Sequence, residues 1–324
     1  MPSTTRNRSI YLSRKLTDGA MQRLSAAFAD VRCGSEHPPS RTELMAGISG
    51  VAAAIVTLTE RLDAEVIEAA GPQLRVIANV AVGYDNIDVD AAANARITVT
   101  NTPGVLDRAT ADHTFALVLA ATRRLVEGDR LIRSAKPWVW GPRMLVGLDL
   151  SAGTTLGVLG YGRIGKALAR RARAFEMRVL ATSRSRQSGT DADGTEYVDR
   201  DTLLASSDVV AVLTPLTPAT LHLIDAPALA RMKHGSYLVN TARGGVVDEA
   251  ALIDALRSGQ LSGAALDVFE NEPEVNQNLL NAPNLVLTPH IASAGEGTRD
   301  AMGILAIENV VAVLAGRPPL TPVR

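Results

Sequence analysis

TLGVLGYGRIG, residues 155–165, carries the strongest structural signal in the chain. Residues 156–159 are a short apolar run that reads as a buried strand. Gly160, Gly162 and Gly165 follow in G-x-G-x-x-G spacing, and an Ala-rich helical stretch runs from 166 to 174. A glycine triple alone is weak, because turns use glycine wherever φ must be positive. Here the strand before and the helix after supply the context of a dinucleotide turn. Gly160 would make the tight turn, Gly162 would admit a pyrophosphate to the backbone, and Gly165 would let helix and strand pack closely. The helix N-terminus then offers amide donors and the positive end of its dipole to the phosphates.

Outward from this turn, short β-branched runs alternate with Ala/Leu-rich helical stretches, the rhythm of parallel sheets covered by helices. The predicted class is α/β, with two Rossmann-like domains. Before the turn, residues 53–58 (AAIVTL), 75–80 (RVIANV) and 97–100 (ITVT) read as strands, with a helix over 63–70. Residues 109–132 read as one long helix bridging two domains, with apolar residues near 3.6 spacing. A loop holding Trp138 and Trp140 follows, and aromatic anchors of this kind favour an interface. A second α/β series runs from 155 to about 289, and an amphipathic helix over 298–314 closes the chain. The predicted organisation is a cofactor domain, 102–291, inserted into a substrate domain with a flavodoxin-like sheet, 1–101 plus 292–324. Division of 324 residues by a domain size of roughly 150 also gives two domains.

The choice of dinucleotide is read about 20 residues past the turn, where NAD sites carry an acid for the ribose 2′-hydroxyl. The strand there, 177–182 (MRVLAT), ends in Ser183-Arg184-Ser185-Arg186 without a carboxylate. Arg184 and Arg186, with the Ser183 hydroxyl, suit a 2′-phosphate through charge-assisted hydrogen bonds. NADP(H) is therefore predicted as the preferred cofactor, with NAD(H) as the alternative.

Three further strand-like runs bring polar groups to the C-terminal edge of the same sheet, where α/β ligands bind. Residues 238–240 lead to Arg243 beside two glycines, 264–269 (AALDVF) lead to Glu272, and 285–287 lead to His290. An arginine, a glutamate and a histidine so placed would supply a carboxylate anchor, a histidine orienter and a proton donor.

At these residues the sequence resembles the D-isomer-specific 2-hydroxyacid dehydrogenase family, and within it the glyoxylate/hydroxypyruvate reductases. The resemblance spans nearly the whole chain: NVAVGYDNID (79–88), RATADHTFALVLAATRRL (108–125), GYGRIG (160–165), PLTPAT (215–220), NTARGGVVDE (240–249), LDVFENEP (266–273) and TPHIAS (288–293). It implies that Arg243 binds the substrate carboxylate and polarises the C2 carbonyl. His290 would protonate the carbonyl oxygen, and Glu272 would hold the imidazole from its other side. Cofactor contacts are implied at Gly160, Tyr161, Gly162, Arg163, Ile164 and Gly165, at Leu213, Thr214, Pro215 and Thr220, and at Thr241 and Ala242 beside Arg243. Asp267 matches the residue near the nicotinamide carboxamide, with His290 and Ala292 in the following segment. Leu58, Val82 and Gly83, with Arg243 and His290, are the implied substrate contacts. Many members have a histidine within the segment that is 211–215 here, and this chain has none. His113, on the bridging helix, is read as packing or interface, as are His37, His222 and His234. A homodimer through the bridging helix is a further implication.

Composition narrows the partners. Thirty-three Lys and Arg against thirty-four Asp and Glu give a net charge of −1, with no field to attract nucleic acid or an anionic membrane. No run reaches the ~18 apolar residues of a membrane span, and residues 1–10 are polar without an apolar signal core. The one cysteine, Cys33, allows no intrachain disulfide or thiolate metal cluster and fits a reducing cytoplasm. The expected partner is a small 2-keto or 2-hydroxy acid, with no metal. Two other readings stay open: another NAD-dependent D-2-hydroxyacid dehydrogenase, or a non-catalytic dinucleotide-sensing protein.

Overall fold

The computed structural model of the chain describes residues 8–151, 153–183, 186 and 188–323. Two compact units emerge, one made of Met1–Leu106 with Ala294–Arg324 and the other of Asp107–Ser293. The boundaries expected from sequence, 101/102 and 291/292, lie a few residues before these.

In chain order the first unit holds β1 (Ser9–Leu12), α1 (Asp18–Ala27), β2 (Asp30–Cys33), α2 (Arg41–Ile48), β3 (Ala53–Val56), α3 (Ala64–Ala69), β4 (Val76–Asn79), α4 (Val89–Asn94) and β5 (Thr98–Thr100). Its strands form a parallel sheet in the order β2-β1-β3-β4-β5. β3 and β4 are buried along their whole length, as strands covered on both faces must be.

The second unit holds α5 (Asp107–Thr122), α6 (Leu125–Arg133), β6 (Thr155–Leu159), α7 (Arg163–Ala174), β7 (Arg178–Thr182), β8 (Gly189–Thr190), β9 (Glu196–Tyr197), α8 (Arg200–Ser206), β10 (Val209–Val212), α9 (Ala226–Arg231), β11 (Ser236–Asn240), α10 (Glu249–Arg257), β12 (Leu261–Leu266), α11 (Gln277–Leu280) and β13 (Leu285–Leu287). The last helix, α12 (Glu296–Leu314), packs on α1 and β4 of the first unit.

Sheet order in the second unit is β13-β12-β11-β10-β6-β7-β9-β8, parallel except for the β8–β9 pair. The order reverses between β6 and β10, and in open α/β sheets ligands bind beyond the C-terminal strand ends at such a switch point. Alternate residues feed opposite faces. Val209 and Ala211 of β10 join the core under α5 and α7, while Val210 and Val212 join the core under α8, α9 and α10. That two-sided burial explains the unbroken apolar runs in the sequence.

The single helix expected over 109–132 is a correction, because the structure breaks it at Arg124, whose φ is 52°. The cause is non-local. The Thr122 carbonyl, which a continuing helix would use, accepts the Leu148 amide at 2.9 Å. Gly147 approaches so closely that a Cβ there would lie 1.9 Å from the same oxygen. A second correction concerns the strand expected over 264–269, which ends at Leu266. Asp267, the next residue, turns its side chain to bind other loops.

Candidate active site

The three glycines of the opening motif differ in what surrounds them. Gly160 has φ of 103°, and a Cβ on it would meet the Leu213 carbonyl carbon at 2.7 Å. Gly162 caps α7 and has nothing within 4 Å of where its Cβ would be, which is the cradle a pyrophosphate needs. Gly165 would clash with the Gly160 carbonyl oxygen at 2.8 Å and with Val158 at 3.1 Å, so only glycine lets α7 lie this close to β6. Helices α3, α4, α8, α9 and α10 are capped by aspartate side chains, whereas α7 has no side-chain cap. A carboxylate there would repel the phosphates that the helix end attracts. These features fit a dinucleotide.

Arg243, Glu272 and His290 emerge from the C-terminal ends of β11, β12 and β13 respectively. His290 Nδ1 lies 2.7 Å from Glu272 Oε2, and Glu272 Oε1 accepts the Phe269 amide at 2.9 Å. A carboxylate can only accept, so Nδ1 is the donor in this contact and Nε2 is left for substrate chemistry. His290 itself is left-handed, φ 54°, fixed by its amide donating to the Asp267 carbonyl at 2.7 Å. Arg243 is partly buried and donates from Nη1 to the Ala242 carbonyl at 2.9 Å. Its turn is shaped by buried Asn240, whose Nδ2 donates to the Arg243 carbonyl at 2.9 Å and whose Oδ1 accepts the Ala242 amide at 3.0 Å.

Asp267 is fully buried and ties this edge together. It accepts from Thr288 Oγ1 at 2.6 Å, from the Ile291 amide at 2.9 Å and from the Ala292 amide at 2.8 Å, and His113 Nε2 lies 3.3 Å away. Burial alone would push its carboxyl up, but the hydrogen bonds from His113, Thr288 and the two amides outweigh that and hold it below the usual carboxylate range. A depressed folded value stabilises the fold above the unfolded value of about 3.9, and that contribution disappears as pH falls through the lower folded value. Asp267→Asn should cost about 2 kcal/mol or more at pH 7. Urea midpoints measured from pH 7 to pH 3 should fall less steeply for the variant than for the wild type; an equal fall would refute the assignment.

The remaining expected contacts fall as follows. Leu213 and Thr214 lie beside the glycine turn, with the Leu213 amide and the Thr214 hydroxyl both donating to the Leu159 carbonyl at 2.8 and 3.0 Å. The Thr220 hydroxyl is used inside its own turn, on the Pro215 carbonyl at 2.7 Å. Tyr161 turns its hydroxyl to Thr195 Oγ1 at 2.7 Å, leaving its backbone to the turn. Arg186 has partners on its own hairpin. Its guanidinium lies 4.6 Å over the Tyr197 ring and donates to the carbonyls of Ser188 and Thr190 at 3.3 and 2.8 Å. Those contacts occupy it on the β8–β9 hairpin. Arg184 lies outside the described residues.

Leu58, Val82 and Gly83 belong to the first unit, in loops after β3 and β4. Asn101 and Asn79 side chains hold the Val82 and Gly83 carbonyls, each at 2.8 Å. Sequence reasoning missed Asn240 and assigned His113 to packing. Polar side chains at a strand end or beside a buried helix face were the only signals for either. Among the described residues no cluster of His, Cys, Asp and Glu could hold a metal ion, and no helix is long and apolar enough to cross a membrane.

A doubly wound sheet with a glycine turn at its switch point, and an arginine and a carboxylate-held histidine past its neighbouring strands, defines a nicotinamide-dependent oxidoreductase. The family model described as D-isomer specific 2-hydroxyacid dehydrogenase, NAD binding domain, matches residues 115–292, and the chain belongs to that family. The glyoxylate reductase of Thermococcus onnurineus is 43% identical over 318 residues, 96% of this chain and 94% of that protein. Among solved structures, a glyoxylate reductase from Paecilomyes thermophila matches with a TM-score of 0.87 at 34% identity, over 100% of this chain and 99% of that one. An NADPH-dependent glyoxylate/hydroxypyruvate reductase from Sinorhizobium meliloti, in complex with NADP and malonate, matches at 0.85 and 34%, over 98% and 97%.

Proposed function

We propose that this chain reduces glyoxylate and hydroxypyruvate to glycolate and D-glycerate, with NADPH as the preferred reductant. The observation that carries the reading is the 2.7 Å contact between His290 Nδ1 and Glu272 Oε2 at the ligand-binding edge of a dinucleotide sheet. The similarity to glyoxylate reductases supports the choice of substrate.

When bound, the nicotinamide supplies a hydride to C2 of the keto acid. Arg243 binds the substrate carboxylate through its planar fork and polarises the carbonyl. His290 donates the Nε2 proton to the carbonyl oxygen as its π electrons become the new O–H bond, and solvent returns the proton afterwards. Glu272 holds the ring at Nδ1 and fixes its direction throughout. Leu58, Val82 and Gly83 are proposed as further substrate contacts.

NADPH is favoured because the strand end at Ser183 carries no carboxylate to repel a 2′-phosphate. Arg184→Asp should shift the NADPH/NADH ratio of kcat/KM toward NADH by about tenfold or more, while Arg186→Ala, engaged on the hairpin, should shift it by less than about threefold. Absorbance at 340 nm with each nicotinamide and a panel of 2-keto acids tests the whole reading. No oxidation of either nicotinamide by any acid overturns it, and a wild-type preference for NADH overturns the NADPH part alone.

A homodimer is also proposed, supported by the exposed apolar side chains Trp138, Val139, Trp140 and Val146 after α6. Light scattering at micromolar concentration tests it, and a monomer mass refutes it. Exposed Cys33, the one cysteine, supports cytoplasmic action.

A further inference from the structure

We propose that one turn of α5, His113–Thr114, positions both catalytic loops: His113 sets the loop that carries His290, and Thr114 sets the loop that carries Arg243. The inference rests on the roles assigned above to Arg243 and His290 and adds the element that aims them.

α5 packs across β11, β12 and β13, the three strands that end in the catalytic loops. Consecutive helix residues point about 100° apart, so neighbours on one turn reach different strand ends. Thr114 is fully buried, and its Oγ1 lies 2.7 Å from Thr241 Oγ1, two residues before Arg243. His113 Nε2 lies 3.2 Å from Thr288 Oγ1 and 3.3 Å from Asp267 Oδ1, two residues before His290 and on the carboxylate that gathers the 291 and 292 amides.

The proton inventory fixes the direction of each contact. Thr114 Oγ1 donates its single proton to the Thr110 carbonyl at 2.7 Å, so toward Thr241 it can only accept. The Thr241 hydroxyl is therefore the donor, and its rotor is set by α5. Thr288 Oγ1 donates its single proton to Asp267 at 2.6 Å, so toward His113 it too can only accept. His113 must therefore carry a proton on Nε2, shared between Thr288 and Asp267. Its role is that of a donor clamped on two acceptors that sit at the root of the His290 loop. Each loop then has one directional anchor on the helix, and removing one should loosen one loop and spare the other.

The test uses His113→Leu and Thr114→Val, which delete the polar contacts with little change of volume, beside His113→Gln and Thr114→Ser, which restore a donor and a hydroxyl at the same reach. Misplacing a catalytic group costs rate steeply. Thr114→Val should raise KM for glyoxylate about tenfold with kcat within about threefold, the mark of a displaced carboxylate anchor. His113→Leu should lower kcat about tenfold with KM within about threefold, the mark of a displaced proton donor. His113→Gln and Thr114→Ser should each hold these values within about threefold of wild type. If Thr114→Val fails to fold, Thr241→Val breaks the same contact from the other side and should give the same KM effect. In the unliganded chain, the imidazole signals assigned through His290→Asn should shift in His113→Leu and stay in place in Thr114→Val. Wild-type kinetics in both deletion variants, equal changes of kcat and KM in both, or no rescue by the conservative pair overturns the inference. Should the wild type itself turn over no 2-keto acid, the proposed function fails, and the imidazole signals still decide whether His113 sets His290.

Discussion

His290→Ala should lower kcat for glyoxylate by about 10³-fold, the middle of the range for loss of a positioned general acid. That corresponds to about 4 kcal/mol of barrier. The size follows from the way the ring is held. With Nδ1 committed to Glu272 at 2.7 Å, Nε2 is the only ring nitrogen left to reach a substrate oxygen. The two histidines nearest in the fold are engaged elsewhere: His113 Nε2 on Thr288 and Asp267, and His222 Nε2 on Glu270 at 3.1 Å. The backbone at 290 is left-handed, so the informative companion is His290→Asn, because asparagine tolerates that conformation and keeps the loop in place. Both variants should bind the reduced nicotinamide cofactor, followed by fluorescence, far more nearly normally than they turn over. Glu272→Gln should cost less than His290→Ala, because the ring keeps a hydrogen-bonding neighbour at Nδ1 and keeps its own Nε2. A His290→Asn enzyme within tenfold of wild type would remove histidine from the proposed mechanism.

What the sequence shows and what it hides divide along the range of the interactions concerned. The glycine turn was legible in full because each of its three positions answers to a local demand: a positive φ at Gly160, open space at Gly162, and contact with β6 at Gly165. The Arg, Glu and His were legible as groups past strand ends, since parallel sheets place all such groups at one edge. The break at Arg124 was not, because it depends on Leu148 taking the Thr122 carbonyl from more than twenty residues away. The contacts of Arg186 are hidden too: two-residue strands such as β8 and β9 leave no periodic trace, so nothing in the sequence places Tyr197 beneath the guanidinium. His113 shows the same limit in reverse. Its helical phase is evident, yet nothing in the sequence says that Asp267 and Thr288 lie opposite it. β1 and β2 were also unread, β2 being an edge strand with mostly exposed residues.

Gly244→Ala, one residue past Arg243, should cost about 3 kcal/mol or more in stability and at least about 10²-fold in kcat/KM. A Cβ at 244 would lie 1.8 Å from the Phe269 carbonyl carbon, 2.0 Å from its oxygen and 2.3 Å from the Glu270 nitrogen, all backbone atoms. Neither side has room to yield. The Phe269 amide is bound to Glu272, and the Glu270 amide to buried Glu249 at 2.9 Å, while the Gly244 carbonyl accepts the Val247 amide at 3.0 Å. Any relief must part the loop of Arg243 from the loop of Glu272, so the steric cost and the loss of activity share one cause. The neighbouring glycine separates this effect from the general sensitivity of a glycine pair. A Cβ at Gly245 would meet only the Leu216 and Leu221 side chains, at 3.5 Å, an ordinary contact. Gly245→Ala should therefore stay within about 1 kcal/mol of wild type, with kcat/KM changed by less than about threefold. Denaturant midpoints and turnover on both variants decide it: two alanines of equal effect, harmless or harmful, would show that the close approach at Gly244 does not hold the two loops together.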